Sequence, residues 1–272
     1  MSITLVTCFY ILKSKFTPEK YESWFANFLP NVKQFKLVVF CNNKSKTILG
    51  KYANDNIKLI DLPIEAFVTY KHKDLWIRNQ LKLSPSLYGG NNISWKVNML
   101  WSEKIFFVDR AIQNKYFPPT EWYGWCDIGY FRGRYSDINS AQLQRWPNSR
   151  KLAKLNRSKI HYAFVHSDST YISKLCRTIS RRRADGLSII KIQPNFPGCI
   201  AGGFFLICRD RIKWWRDTYN NKLAVYFKNK WLVKDDQIIL VDCICQQLDN
   251  FQLHREAGHR YDKWFMFQRI LL

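Results

Sequence analysis

The apolar positions of this chain fall into short continuous runs that alternate with helical stripes. Ile3 to Phe9 is an apolar run of strand length, and Thr17 to Leu29 has the start of a helix, with Pro18 in a first-turn position and Glu19 behind it. Phe35 to Cys41 is a second β-rich run, Lys44 to Tyr52 a helix, and Ile57 to Leu62 a third strand. This is the βαβ rhythm of a parallel sheet. A polar, aromatic stretch then extends to Asn92. Beyond it Trp101, Ile105, Val108 and Ile112 recur at helical spacing and form one face that packs on the sheet. The Pro118-Pro119 break leads into Tyr123 to Gly133, YGWCDIGYFRG, an apolar strand that ends on Asp127.

The second half starts less regularly. A strand runs from Ile160 to Val165, a basic helix-loop region follows, and Gln193 to Gly198 is rich in turn residues. Cys199 to Cys208 reads as a strand interrupted by Gly202 and Gly203. A double glycine there marks a bulge or a close backbone approach, to an aromatic neighbour or to a substrate. Ile212, Trp215, Tyr219, Leu223 and Tyr226 then lie along one face of a long helix, and Ile238, Val241, Cys245 and Leu248 along another. The expected class is α/β, a central, mostly parallel sheet flanked by helices, with a less regular lobe in the second half.

Length and composition fit one substantial domain over residues 1–272, because 272 residues lie within the range of a single large α/β fold. Apolar residues make up 47% and aromatics 16% of the chain, which excludes a disordered segment and leaves rings for a ligand surface as well as for the core. The net charge of +22 calls for an anionic counterpart, whether nucleotide, nucleic acid, phospholipid or acidic glycan. Its densest basic run, Arg181 to Arg183, reads as a solvated loop, and nucleic acid is disfavoured because neither a zinc-finger spacing nor an RNP-like motif is present. Eight scattered cysteines without a CxxC pair read as reduced, buried thiols. With no signal-peptide pattern and no apolar run of about 18 residues, the expected location is cytoplasmic, with room for peripheral contact at an anionic membrane.

Asp127 is the first candidate for chemistry. An ionised carboxylate at the end of a buried strand must be solvated, paired or metal-bound. Gly129 lets the backbone turn or approach a ligand, and Arg132 and Arg134 place positive charge beside the same turn. Asp235, Asp236 and Gln237 open the later helix. Either aspartate can cap it, or the pair and the amide can serve as a catalytic base and a clamp on sugar hydroxyls. Near the C-terminus, His254, His259, Lys263 and Trp264 offer imidazoles for an ion, an ammonium for phosphates and an indole for stacking.

In their order, VTCFY, WSEKIFFVDRAI, WCDIGYFR, AGGFFLICRD, DDQIIL and the terminal KWF resemble the bacterial HtrL/YibB-type, glycosyltransferase-like proteins. The resemblance implies a GT-A type fold in which residues 1–134 form the nucleotide-sugar-binding half and residues 135–272 the acceptor side with a closing segment. It further implies transfer of a sugar from a nucleoside-diphosphate donor, with a family-level preference for uridine, to a glycan or other hydroxyl acceptor. In such folds a DxD motif holds Mn²⁺ or Mg²⁺ on the diphosphate. Here Asp127 matches the first aspartate and Gly129 stands in place of the second, so His254 or His259 is the expected further metal ligand. By the same analogy Thr7 and Tyr10 receive the base and ribose. Lys104, Arg132 and Lys263 add charge at the diphosphate, Gly202, Gly203, Gln237 and Trp264 face the substrate, and Asp236, aided by Asp235, is the base. A basic nucleic-acid-binding protein, a non-catalytic glycan-binding protein, and a glycoside hydrolase with Asp127 and Asp236 as its carboxylate pair but no need of diphosphate-binding charge are the alternatives.

Overall fold

The computed structural model describes residues 2–196, 198–256 and 260–272. Its first half winds β1 (Ile3–Phe9), α1 (Pro18–Phe28), β2 (Lys36–Cys41), α2 (Asn43–Leu49), β3 (Ile57–Asp61), α3 (Lys73–Leu81), α4 (Trp95–Ser102), α5 (Lys104–Gln113) and β4 (Trp122–Cys126). The second half adds α6 (Ser140–Leu143), α7 (Ser149–Ala153), β5 (Ile160–Phe164), α8 (Tyr171–Ile179), β6 (Ile200–Cys208), α9 (Ile212–Lys228), α10 (Asp236–Gln246), β7 (Phe251–His254) and α11 (Phe267–Ile270). The strands form one sheet in the order β3-β2-β1-β4-β6-β5-β7, in which β6 runs against its two neighbours and the other strands share a direction. The α/β class and the flanking helices agree with the sequence pattern.

Strand periodicity explains why both faces are covered. Along β1, Val6 and Cys8 join one core with α5, α9 and α10, while Ile3, Leu5 and Phe9 join the other with α1 and the C-terminal residues Met266, Phe267 and Leu271. The predicted stripe of the long helix holds, since Ile212, Trp215, Tyr219, Leu223 and Tyr226 are all buried. Gly124 is fixed by its neighbour: an added Cβ would stand 2.2 Å from the Phe205 carbonyl oxygen.

Two departures shape the site. The helix expected through Trp101 to Ile112 is two helices, broken at Glu103. That carboxylate leaves helical service to accept the amides of Val68 (2.7 Å) and Thr69 (3.0 Å) and the Thr69 hydroxyl. Burial pushes its pKa up to about 7 against these hydrogen bonds. Ile105 and Val108 still pack on the sheet, whereas Trp101 lies on α4 and faces a cleft. The second departure is the bulge that the double glycine announces. Tyr162 pairs with Phe205 and Ala163 with Ala201, so Gly202, Gly203 and Phe204 have no counterpart on β5.

All eight cysteines are free and seven are buried, with Cys176 partly so. Arg181 and Arg183 are exposed as expected of a solvated loop, but Arg182 turns inward to Asp242, which is fully buried with Lys222 and Tyr226 around it. No helix among the described residues is long and apolar enough to cross a membrane.

Candidate active site

The parallel strands aim their C-terminal ends at one edge of the sheet, where open α/β folds collect their ligands. At that edge the Asp127 amide donates to the Gly203 carbonyl (2.8 Å), which carries the β4–β6 ladder one residue past β4. Its carboxylate Oδ1 accepts from the Trp125 indole (2.6 Å), which sits two residues back on the same face of the strand, and Oδ1 also lies 3.2 Å from the Lys104 ammonium. The loop that follows is pinned from the C-terminus, because Gln268 donates to the Tyr130 carbonyl (2.6 Å) and Tyr130 packs on Phe265.

Lys104 opens α5, so the break at Glu103 is what delivers it. Its buried Nζ donates to the Gly202 carbonyl (2.8 Å) that the bulge frees, and it bridges Asp127 and Asp236, whose Oδ2 is 3.1 Å away. Burial opposes this charge, but the two carboxylates outweigh it and raise the ammonium's pKa above its usual value. Asp236 is the first residue of α10 and is also buried. Desolvation, with like charge from Asp235 and Asp127, pushes its carboxyl up to about 7 in spite of Lys104. Asp235 is the capping member of the pair: its side chain accepts from the Gln237 amide (3.1 Å).

Of the two glycines of β6, Gly202 is required by these carboxylates and Gly203 fits closely against them. A Cβ on Gly202 would stand 2.5 Å from Asp236 Oδ2, and one on Gly203 would stand 3.2 Å from Asp127 Oδ2. Gly129 has a different reason. A Cβ there would meet the Trp24 ring at 2.6 Å, so the position of the second DxD aspartate is closed to any side chain while Trp24 keeps its place. Trp24 in turn carries Arg132, whose guanidinium lies 4.3 Å from its ring and 4.8 Å from that of Phe265 and donates to the Gly129 carbonyl (3.0 Å). Burial, with Arg134 close by, lowers the pKa of Arg132.

These groups line a cleft of about 400 Å³ together with Lys15, Phe16, Tyr21, Trp101, Asp235, Gln237, Asp262 and Trp264. A narrower recess of about 110 Å³ continues from Asp127 and Arg132 between Tyr21, Trp24 and Trp101, toward Cys8 and Tyr10. On the far side Gly198 lies against the Gln237 amide and the Trp264 ring, so the turn-rich stretch ends beside the first residues of α10. A larger hollow of about 720 Å³ lies behind the loop from Phe131 to Leu143, but its Arg134 and Arg269 are tied to Asp137, Asp262 and Glu256.

Of the residues expected from sequence, Asp127, Lys104, Arg132, Gly202, Gly203, Asp235, Asp236, Gln237 and Trp264 therefore meet in one cleft. Others lie elsewhere. Thr7 is fully buried in β1, and Tyr10 spends its hydroxyl on the Leu62 carbonyl (2.8 Å) and packs its ring on Phe67, touching only the inner recess. Lys263 lies between Asp262 and Trp264 but outside the lining. His254 stands on β7 at the far edge of the sheet, three strands from β4 or roughly 14 Å at the usual spacing. There its Nε2 pairs with His161 Nδ1 (2.9 Å), and burial lowers both imidazoles to about 4, so the pair is neutral and is no partner for Asp127. His259 lies outside the described residues.

The donor set also bears on the expected Mn²⁺ or Mg²⁺. Such ions take several oxygen ligands. Among the described residues no group of three or more His, Cys, Asp or Glu side chains could hold one. The carboxylate next to Asp127 is Asp236, and an ammonium already lies between the two. Among the described residues, then, the two carboxylates alone do not fit a divalent ion held without the donor's phosphates.

Sequence reasoning missed Phe16, Tyr21, Trp24 and Trp101. Phe16, Tyr21 and Trp24 crowd edge-to-face at the start of α1. Their sequence signal is an aromatic cluster on a helix that already buries Phe25 and Phe28, more rings than one packing face uses.

No protein-family model matches the chain, and no curated protein does. Among solved structures, an active-site mutant of LgtC is similar at 12% identity and a TM-score of 0.44, over 99% of this chain and 84% of that one. A 4-diphosphocytidyl-2C-methyl-D-erythritol synthase from Anaerococcus prevotii is similar at 11% identity and a TM-score of 0.42, over 96% of this chain and 88% of that one.

Proposed function

We propose that this chain is a glycosyltransferase of GT-A type that moves a sugar from a nucleoside diphosphate, uridine diphosphate by preference, to a hydroxyl acceptor. The observation that carries the reading is the Asp127–Lys104–Asp236 bridge at the C-terminal edge of the sheet, in a cleft that also presents Arg132. A purely structural ion pair has no need of a cleft, an aromatic recess and a bulged strand shaped around both carboxylates.

The chemistry follows from the charges. Expelling a nucleoside diphosphate builds negative charge on its bridging oxygen, and fixed positive groups stabilise that charge best where water is scarce. Arg132, stacked and hydrogen-bonded, is the cation fixed in place at the cleft, which Lys15 also lines. The Tyr21, Trp24 and Trp101 recess suits a planar base. Asp236 has its carboxyl near neutrality, where a general base is most useful, and it accepts the proton of the acceptor hydroxyl in an inverting transfer. Gln237 and Trp264 flank it on the acceptor side.

The test is release of nucleoside diphosphate from a panel of nucleotide sugars, with Asp236→Asn as control. Turnover of one donor, reduced in the variant by the ~10²–10⁴-fold typical of a lost general base, supports the reading. Turnover of none by folded protein, together with sugar binding that needs no nucleotide, leads instead to a glycan-binding protein.

A further inference from the structure

We infer that donor binding at this site is independent of divalent metal: Arg132 takes the diphosphate, and Asp127 reads a hydroxyl of the donor instead of holding an ion. This rests on the glycosyltransferase reading above and names how that site holds its substrate.

One packing event carries the argument. Trp24 fills the space in which any side chain at position 129 would begin, and the same ring forms the shelf on which the Arg132 guanidinium lies. The arrangement that removes a second carboxylate therefore installs a cation within the same turn. The guanidinium is fixed from three sides, by Trp24, by Phe265 and by the Gly129 carbonyl, so its fork is set in advance for a phosphate group. Asp127 is just as constrained. Its inner oxygen is committed to the Trp125 indole and to Lys104, which leaves the outer oxygen, beside Gly203, as an acceptor at the wall of a half-open cleft. A carboxylate whose charge is already balanced by a buried ammonium is a good acceptor for a sugar or ribose hydroxyl. It is a weaker anchor for a divalent ion than a carboxylate with its charge free, because the ammonium already neutralises it and repels a second cation. Lys104 itself is buried and serves as the internal counter-charge that keeps Asp127 and Asp236 together.

Titration calorimetry of the full chain with UDP, GDP, CDP and ADP, in excess EDTA and again in excess Mn²⁺, tests this. The inference expects one nucleotide to bind in EDTA with an affinity that Mn²⁺ changes less than about twofold. Arg132→Met should weaken that binding by ~10–100-fold, the range of a lost charge-assisted hydrogen-bond pair. Arg132→Lys keeps the charge without the fork and should fall between, and unchanged melting of both unliganded variants guards against misfolding. Binding that appears only with Mn²⁺ and vanishes in Asp127→Asn overturns the inference and leaves the glycosyltransferase reading standing. Binding of no nucleotide under either condition removes both.

Discussion

Lys104→Met separates the two carboxylates from their shared counter-charge, and its cost should depend on pH in a way that the geometry fixes. Both Asp127 Oδ1 and Asp236 Oδ2 lie close to one nitrogen, at 3.2 and 3.1 Å, so only roughly 6 Å separates them and their repulsion at an effective dielectric of about 20 is ~3 kcal/mol. The repulsion already helps to hold the Asp236 carboxyl near 7; with the ammonium gone, Asp236 loses the opposing attraction, which is at least as large because the nitrogen is nearer than Asp127, and its carboxyl rises by about two further pH units. A carboxyl raised in the folded state is protonated there while the unfolded chain has released its proton, so stability falls as pH rises from the unfolded pKa to the folded one. In the native protein that fall ends near pH 7. In the variant it continues to about pH 9, so the difference between the two should grow by ~3 kcal/mol over that interval. Above it the total should approach the ~3–5 kcal/mol typical of breaking a buried pair. Urea unfolding between about pH 6 and pH 9, with Asp236→Asn and the double variant alongside, reads this directly. In Asp236→Asn the effect of removing Lys104 should shrink and lose its pH dependence. A penalty for Lys104→Met that is flat with pH, or single effects that add to within about 0.5 kcal/mol, would refute the reasoning.

Three further outcomes follow from the same structure. Gly129→Ala forces its Cβ against Trp24 and should destabilise the fold by about 1–3 kcal/mol in urea unfolding while weakening nucleotide binding through the displaced Arg132; with Trp24→Leu added the clash is relieved, so the double variant should lose less stability than the two single variants sum to, while binding should not return. For His161, whose imidazole is lowered to about 4 by burial, the neutral form is favoured in the fold, so stability is complete above about pH 6.5 and drops by up to ~3 kcal/mol as pH falls toward 4; His161→Phe should flatten that part of the acid-unfolding profile. The single-turnover rate should rise with pH to a plateau above the Asp236 pKa near 7, and Asp236→Asn should remove the limb along with the rate.

Much of the framework was legible because its signals are local. Apolar runs gave β1 to β6 to within a residue or two, and Thr17 and Asn42 cap α1 and α2 with their side chains. Asp127 at a strand end and the double glycine of β6 were equally plain, since each violates the expectation for its element. The helix break at Glu103 was hidden, because the apolar stripe continues across it and only a carboxylate captured by the Val68–Thr69 amides shows why the chain turns. α3 escaped because its opening residues are charged and its one deeply buried ring, Trp76, is held by Phe227 from α9. The direction of β6, the pairing of Lys104 with Asp236 and the retreat of His254 to His161 are all contacts between distant segments, which no local period encodes. Spacing alone also could not tell which of Asp235 and Asp236 is the cap; burial of the second against Gly202 decides it.

The most direct test of the glycosyltransferase account is thermal unfolding of the chain against UDP, GDP, CDP and ADP. A ligand at about 100 times its dissociation constant adds ~2.7 kcal/mol. Over a chain of 272 residues, unfolding entropy of about 2.1 cal/mol/K per residue converts this into a rise of ~5 °C in the midpoint. The account predicts such a shift with one base in preference to the others, cut to roughly half or less at the same concentration in Arg132→Met. A folded protein whose midpoint none of the four nucleotides moves would contradict it.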